Sequence, residues 1–138
     1  MAKRVVILGG GFGGVYTDVR LVRLRSLRDD VQVTLVSRET YFGFQPMLPE
    51  VISGAIGILD PATPIRGLAP GTTLYICESQ EVNLETRTVT LVPDFTRRAT
   101  VPGYDQLVIA LGNVTDFRQM PGMIDHPPRN MGFSLHAS

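Results

Sequence analysis

Cysteine is nearly absent from the chain: Cys77 stands alone, so no internal disulfide framework exists, which agrees with a reducing compartment. In its strand-like setting Cys77 reads as a small buried hydrophobe rather than a redox group. No apolar run approaches the roughly 20 residues that span a bilayer, and the N-terminus enters a strand pattern without signal-peptide features, so a cytoplasmic location is expected. Charge of either sign is not in excess. Lysine plus arginine and aspartate plus glutamate both total 13, which leaves no argument for nucleic acid or an acidic surface as partner. The two histidines, His126 and His136, have no cysteine or carboxylate cluster around them and make no metal site. The Ser134-Leu135-His136 neighbourhood gives no nucleophile motif.

The chain is rich in aliphatic runs and glycine. At 43% hydrophobic and 19% charged residues over 138 positions, it is a globular chain of single-domain size. Val5-Val6-Ile7-Leu8 runs into Gly9-Gly10-Gly11-Phe12-Gly13-Gly14, and a helical pattern follows from Phe12 or Gly13 to about Leu27. A second aliphatic run, residues 31–36, completes a βαβ unit around a G-x-G-x-x-G fingerprint. Gly9 suits the tight turn out of the strand, Gly11 the close approach of backbone to a pyrophosphate, and Gly14 the packing of helix on sheet. The helix start aims unpaired N–H groups and the positive dipole end at the phosphates. The bland alternative is a flexible glycine turn.

Val15, Val19, Val22 and Leu27, with Leu24 beside them, give that helix an inward face. Arg20, Arg23, Arg25 and Arg28 read as its solvated face rather than a basic binding patch. Residues 41–71 hold five of the ten prolines and five of the fourteen glycines, so regular elements must be short there. Their aromatic and aliphatic content predicts an ordered lining segment with one short helix from about Pro49 to Gly54. From Thr73 the texture is β again, with a small antiparallel meander over about 74–102 and a turn at residues 85–87. The continuous apolar run 107–112 reads as a further buried strand of the main sheet. The expected organisation is a domain over residues 1–122 and an irregular tail over 123–138.

The string Val6 to Gly14, the segment Phe44-Gln45-Pro46-Met47-Leu48-Pro49-Glu50-Val51, the dipeptide Ile65-Arg66 and the run Tyr104 to Gly112 together resemble type II NADH dehydrogenases. These are flavoproteins of the pyridine nucleotide-disulfide oxidoreductase superfamily, and the resemblance covers about residues 4–122. It implies an α/β fold: a Rossmann-like FAD-binding βαβ unit with a small antiparallel meander, incomplete relative to the full two-dinucleotide-domain fold. It implies FAD as cofactor, with the pyrophosphate on the backbone of Gly11, Phe12, Gly13 and Gly14. Ser37, Arg38 and Glu39 would meet the adenosine ribose, and Gln45 and Pro46 would lie near the isoalloxazine. Val82 would offer backbone groups to adenine, while Ala110, Leu111 and Gly112 would close over the adenosine diphosphate. Without the resemblance, Gln45 is ordinary loop polarity and residues 107–112 are core in any fold.

Several positions depart from the family pattern. Ser37 stands where an acidic residue commonly accepts bonds from ribose hydroxyls, with Glu39 two positions on. In a NAD(P) reading, Arg38 would instead meet a 2′-phosphate. Tyr16 and Thr17 stand where small residues often pack. Residues 41–60 contain no cysteine, which disfavours the disulfide reductases, and the single Cys77 weakens a sulfide:quinone reading. The 138 residues hold one glycine fingerprint, without the second one for NADH or the later Gly-Asp motif. The expectation is the N-terminal piece of a longer enzyme, or a short chain without catalytic capacity. NADH and quinone would then be partners only of a full-length enzyme, which is often peripheral on the cytoplasmic membrane face. The alternatives are a non-catalytic nucleotide-binding or interaction module, completed by a partner chain, and a NAD(P)-binding dehydrogenase domain.

Overall fold

The computed structural model describes residues 2–25, 31–57, 59–92, 99–101 and 103–113. In chain order the elements are β1 (Lys3–Leu8), α1 (Phe12–Arg25), β2 (Val31–Ser37), β3 (Tyr41–Gly43), a 3-10 turn (Gln45–Met47), α2 (Leu48–Ile52), β4 (Ala62–Pro64) and α3 (Ile65–Leu68). There follow β5 (Thr73–Ile76), β6 (Glu78–Asn83), β7 (Thr88–Val92), β8 (Ala99–Val101) and β9 (Gln106–Ile109).

The central sheet is parallel with strand order β5-β2-β1-β9. Because successive side chains leave a strand on opposite faces, β1 feeds two cores at once. Val5 and Ile7 join Val15 of α1, Val33 and Leu35 of β2, Phe42 and Ile65 on one face. Val6 and Leu8 join Val36, Val89, Leu91, Val101 and Tyr104 on the other. A helical layer, the parallel sheet and the antiparallel sheet β6-β7-β8 are therefore stacked. This double-faced burial is why β1 reads as an unbroken aliphatic run.

The expected α/β class and βαβ unit are present. Three details differ from the sequence reading. Thr73–Ile76, expected within the meander region, pairs in parallel with β2 and extends the main sheet. β9 does lie in the main sheet, beside β1, but Leu107 and Val108 are only half-buried and Gln106 and Ile109 are exposed. No described strand covers its outer side, so an apolar run that reads as core forms one end of the sheet. On α1, Leu24 is exposed at 58%, while Leu21 packs against the core and Asp18 is buried. Leu27 and Arg28 lie outside the described residues.

The 41–71 segment is ordered as short pieces, with Phe42 and Ile65 buried and Ile52 and Leu59 exposed. It holds two short helices rather than one: α2 at Leu48–Ile52, overlapping the expected Pro49 to Gly54, and α3 at Ile65–Leu68. In the turn after β6, the Asn83 side chain accepts the backbone N–H groups of Glu85 (3.0 Å) and Thr86 (2.9 Å), and Arg87 takes a positive φ of 52°. The 123–138 segment, with both histidines, lies outside the described residues.

Candidate dinucleotide-binding site

The carboxyl ends of all four parallel strands share one edge of the sheet, and three of them, β1, β2 and β9, lead into expected site residues. From β1 comes the glycine loop, from β2 Ser37 to Glu39, from β9 Ala110 to Gly112. Gly9 turns out of β1 with φ 111°, and its N–H donates to Val36 O at 2.8 Å. A Cβ there would overlap the Ala110 carbonyl oxygen and stand 2.7 Å from its carbon. The β1 loop is thus wedged between its neighbours on both sides. Ala110 N–H donates to Leu8 O at 2.8 Å, and a Cβ on Gly13 would lie 3.2 Å from the Ala110 Cβ.

Gly14 is buried, and a Cβ on it would overlap the Gly9 carbonyl oxygen. The first turn of α1 therefore rests on the strand it follows, despite Tyr16 and Thr17. The Tyr16 ring points outward and stacks on Phe12 at 5.9 Å, and the Thr17 hydroxyl donates to Gly13 O at 2.6 Å. Gly11 is the exception in the loop: a Cβ there would meet nothing within 4 Å. Its carbonyl accepts the first helical bond, from Val15 N–H at 2.9 Å. Bare backbone thus faces open space at the helix entrance, where a pyrophosphate can approach N–H groups.

Gly10 has a role that the fingerprint reading passed over. A Cβ on it would overlap Ser37 Oγ and stand 2.8 Å from Ser37 Cβ. The signal was the extra glycine in the loop, but its cause lies in the tertiary packing of β2 under β1. Ser37 is 4% exposed, and its hydroxyl donates to Glu39 O (2.9 Å) while accepting Glu39 N–H (3.2 Å). It is satisfied within its own turn. Glu39 is exposed, and Arg38 donates to the carboxylate of Glu78, the first residue of β6. Nothing in the sequence marks Glu78, because its nearness depends on β5 lying beside β2.

Phe44 leans on Phe12 with ring centroids 5.6 Å apart, and Phe42 meets the same ring edge-on at 4.9 Å. Gln45 and Pro46, both exposed, follow Phe44 on the 3-10 turn. Tyr16, Phe42, Phe44 and Met47 line a mainly apolar groove of about 400 Å³ on the flank of α1. Val82 is on β6, with its side chain packed in the second core. Ala110 is half-buried against the glycine loop, whereas Leu111 and Gly112 are exposed, Gly112 with φ 71°.

Behind the loop, Asp18 is 1% exposed. Its Oδ1 accepts the Thr72 hydroxyl at 2.6 Å, and its Oδ2 has no partner. Burial pushes its carboxyl above the ordinary value, and the Thr72 bond pulls the other way. Arg25, expected in solvent, is half-buried and donates to Gly71 O at 2.9 Å. Both side chains moor α1 to the loop before β5. No described helix is long and apolar enough to cross a membrane.

The family model for pyridine nucleotide-disulphide oxidoreductase matches residues 3–136. A sulfide-quinone reductase from Aquifex aeolicus is 38% identical over 114 residues, covering 81% of this chain and 25% of that protein. The type II NADH:quinone oxidoreductase NdhA from Mycobacterium tuberculosis is 35% identical over 113 residues, covering 79% of this chain and 22% of that protein. In fold, the chain matches NDH2 from Plasmodium falciparum with a TM-score of 0.76, at 24% identity, over 91% of this chain and 25% of that one. The chain thus spans about a quarter of the length of the relatives it matches. The glycine loop, the parallel sheet and the family match converge: the chain belongs to the pyridine nucleotide-disulphide oxidoreductase family of FAD-binding flavoproteins.

Proposed function

We propose that the chain is the FAD-binding portion of an NADH:quinone-type oxidoreductase, in which hydride passes from NADH to flavin and electrons pass on to quinone. The observation that carries this reading is the contrast within one loop. Side chains at Gly9, Gly10 and Gly14 are excluded by neighbouring protein atoms, whereas Gly11 faces open space. An exclusion by protein preserves the turn, and an opening at its centre suits a group from outside.

Bound FAD would supply the hydride acceptor and electron carrier. The residues here do the holding. Gly11, Phe12, Gly13 and Gly14 offer backbone and the α1 dipole to the pyrophosphate. Arg38 and Glu39 border the ribose end, and Val82 lies on the adenine side. Gln45 and Pro46 flank the flavin end, and Ala110, Leu111 and Gly112 close the cleft from β9. Ser37 supports the loop from beneath rather than meeting the ribose.

With one glycine fingerprint in 138 residues, the isolated chain is expected to bind FAD and to oxidise NADH negligibly. Likeness to the Aquifex protein raises sulfide as an alternative electron donor, against which the single Cys77 stands. A cytoplasmic setting belongs to the same reading, supported by the solitary, half-buried Cys77. Thermal melting with added FAD tests the proposal, since a ligand that binds only the folded state must raise the midpoint. No shift at saturating FAD would overturn it. Turnover of NADH by the isolated chain with a soluble quinone analogue would overturn the expectation of inactivity.

A further inference from the structure

β2 and β5 lie side by side in parallel, with Ser37 opposite Ile76, so the residues just past both carboxyl ends are neighbours. Cys77 N–H donates to Ser37 O at 2.9 Å, and one residue further along each strand Arg38 meets Glu78. In a dinucleotide fold, the residue just past the second strand meets the 2′ position of the adenosine ribose, and an arginine there accommodates a 2′-phosphate. Arg38 occupies that place, and by sequence alone it would invite such a phosphate. Its guanidinium is instead engaged by a carboxylate from the neighbouring strand end.

We propose that Glu78 sets the dinucleotide selectivity of this site, by holding Arg38 so that a 2′-phosphorylated adenosine is refused while a free 2′-hydroxyl is accepted. The refusal has two physical parts. A phosphate must break the Arg38–Glu78 pair to gain the guanidinium, and it must then lie beside the freed carboxylate with like charge. Ser37 does not contribute to the choice, because its hydroxyl is spent within the turn to Glu39. Both paired side chains are about half exposed, so neither is required for folding.

The inference rests on the FAD reading above, and displacement of bound FAD separates the two. ADP-ribose and 2′-phospho-ADP-ribose differ only in the phosphate, and each is titrated against the FAD complex of the 138-residue chain while flavin fluorescence reports release. The unmodified chain is expected to release FAD with ADP-ribose at a concentration at least tenfold below that needed for 2′-phospho-ADP-ribose. Glu78→Gln is expected to bring the two within about threefold, and Glu78→Gln with Arg38→Gln to restore preference for ADP-ribose. FAD binding with an unchanged ratio in Glu78→Gln overturns the proposal. So does a Glu78→Gln effect that persists undiminished without Arg38, because Glu78 would then act by its own charge. Failure of the unmodified chain to bind FAD overturns the underlying reading and this inference with it.

Discussion

Gly10 sits directly over Ser37: a Cβ on the glycine would overlap the serine hydroxyl and come within 2.8 Å of its Cβ. Gly10→Ala is therefore expected to cost about 1–3 kcal/mol, as overpacking does in a closed interior. The cost should shrink in a Ser37→Gly background, where both clashing atoms are gone. Urea unfolding of the two single variants and the double variant measures the coupling. Additive costs would show that the contact does not limit this position.

The remaining glycines separate structure from ligand. Gly14→Ala drives a Cβ into the Gly9 carbonyl group, which is backbone and cannot swing aside, so a loss of about 3 kcal/mol or more is expected. Gly11→Ala meets open space at the helix cap, and its stability cost should stay below about 1 kcal/mol. Under the proposed function, its FAD affinity should nevertheless fall at least tenfold. Unaltered affinity in a stably folded Gly11→Ala chain would place the pyrophosphate elsewhere.

Asp18 predicts a stability that rises on acidification. Burial raises its folded-state value above the unfolded one, so between the two values the native chain holds a proton that the unfolded chain has released. Stability falls as pH climbs through that interval and stays at the lower level above it. Asp18→Asn removes the buried charge and keeps an acceptor for Thr72, so it should stabilise the chain at neutral pH by on the order of 1 kcal/mol. The advantage should narrow as pH falls through the raised folded-state value toward the ordinary one. Urea midpoints that stay parallel for both chains from neutral pH down to the ordinary carboxylate value would contradict this.

Asp105 behaves in the opposite sense. The backbone N–H of Arg4 donates to its Oδ2 at 2.8 Å and, with the Arg4 and Arg87 charges, holds its carboxyl below the ordinary value. Its contribution is present above the unfolded value and is lost as pH falls through the folded one. Asp105→Asn should lower the urea midpoint at pH 7, with the difference closing as pH falls through the lowered folded-state value. Added salt should remove only part of the effect, because the backbone bond is not screened as the ion pair is.

Elements with local signals were legible in the sequence. The β1 run, the glycine loop, α1 and β2 follow from aliphatic periodicity and turn chemistry alone. Thr73–Ile76 was legible as a strand but not as a parallel one, because four residues look the same in either pairing and only the path through α3 decides. Arg25 was misplaced and Asp18 passed over for a related reason: their partners, Gly71 and Thr72, are 46 and 54 residues away. The Arg38–Glu78 pair inherits the same difficulty. Conversely, the exposure of β9 was hidden by its aliphatic composition, since a strand at the end of a sheet can read like one at its centre.

The place of β9 beside β1 also bears on when the cleft comes into being. Arg4 and Asp105 touch across a separation of 101 residues, and Ala110 supplies one wall of the loop that Gly9 begins. Contacts that distant close late, because the entropy of a long loop is lost before they form. During synthesis the glycine turn must emerge and wait for nearly the whole described chain before its second wall arrives. The glycine turn by itself is thus a half-built cleft, and it gains its second wall only when Ala110 docks beside it.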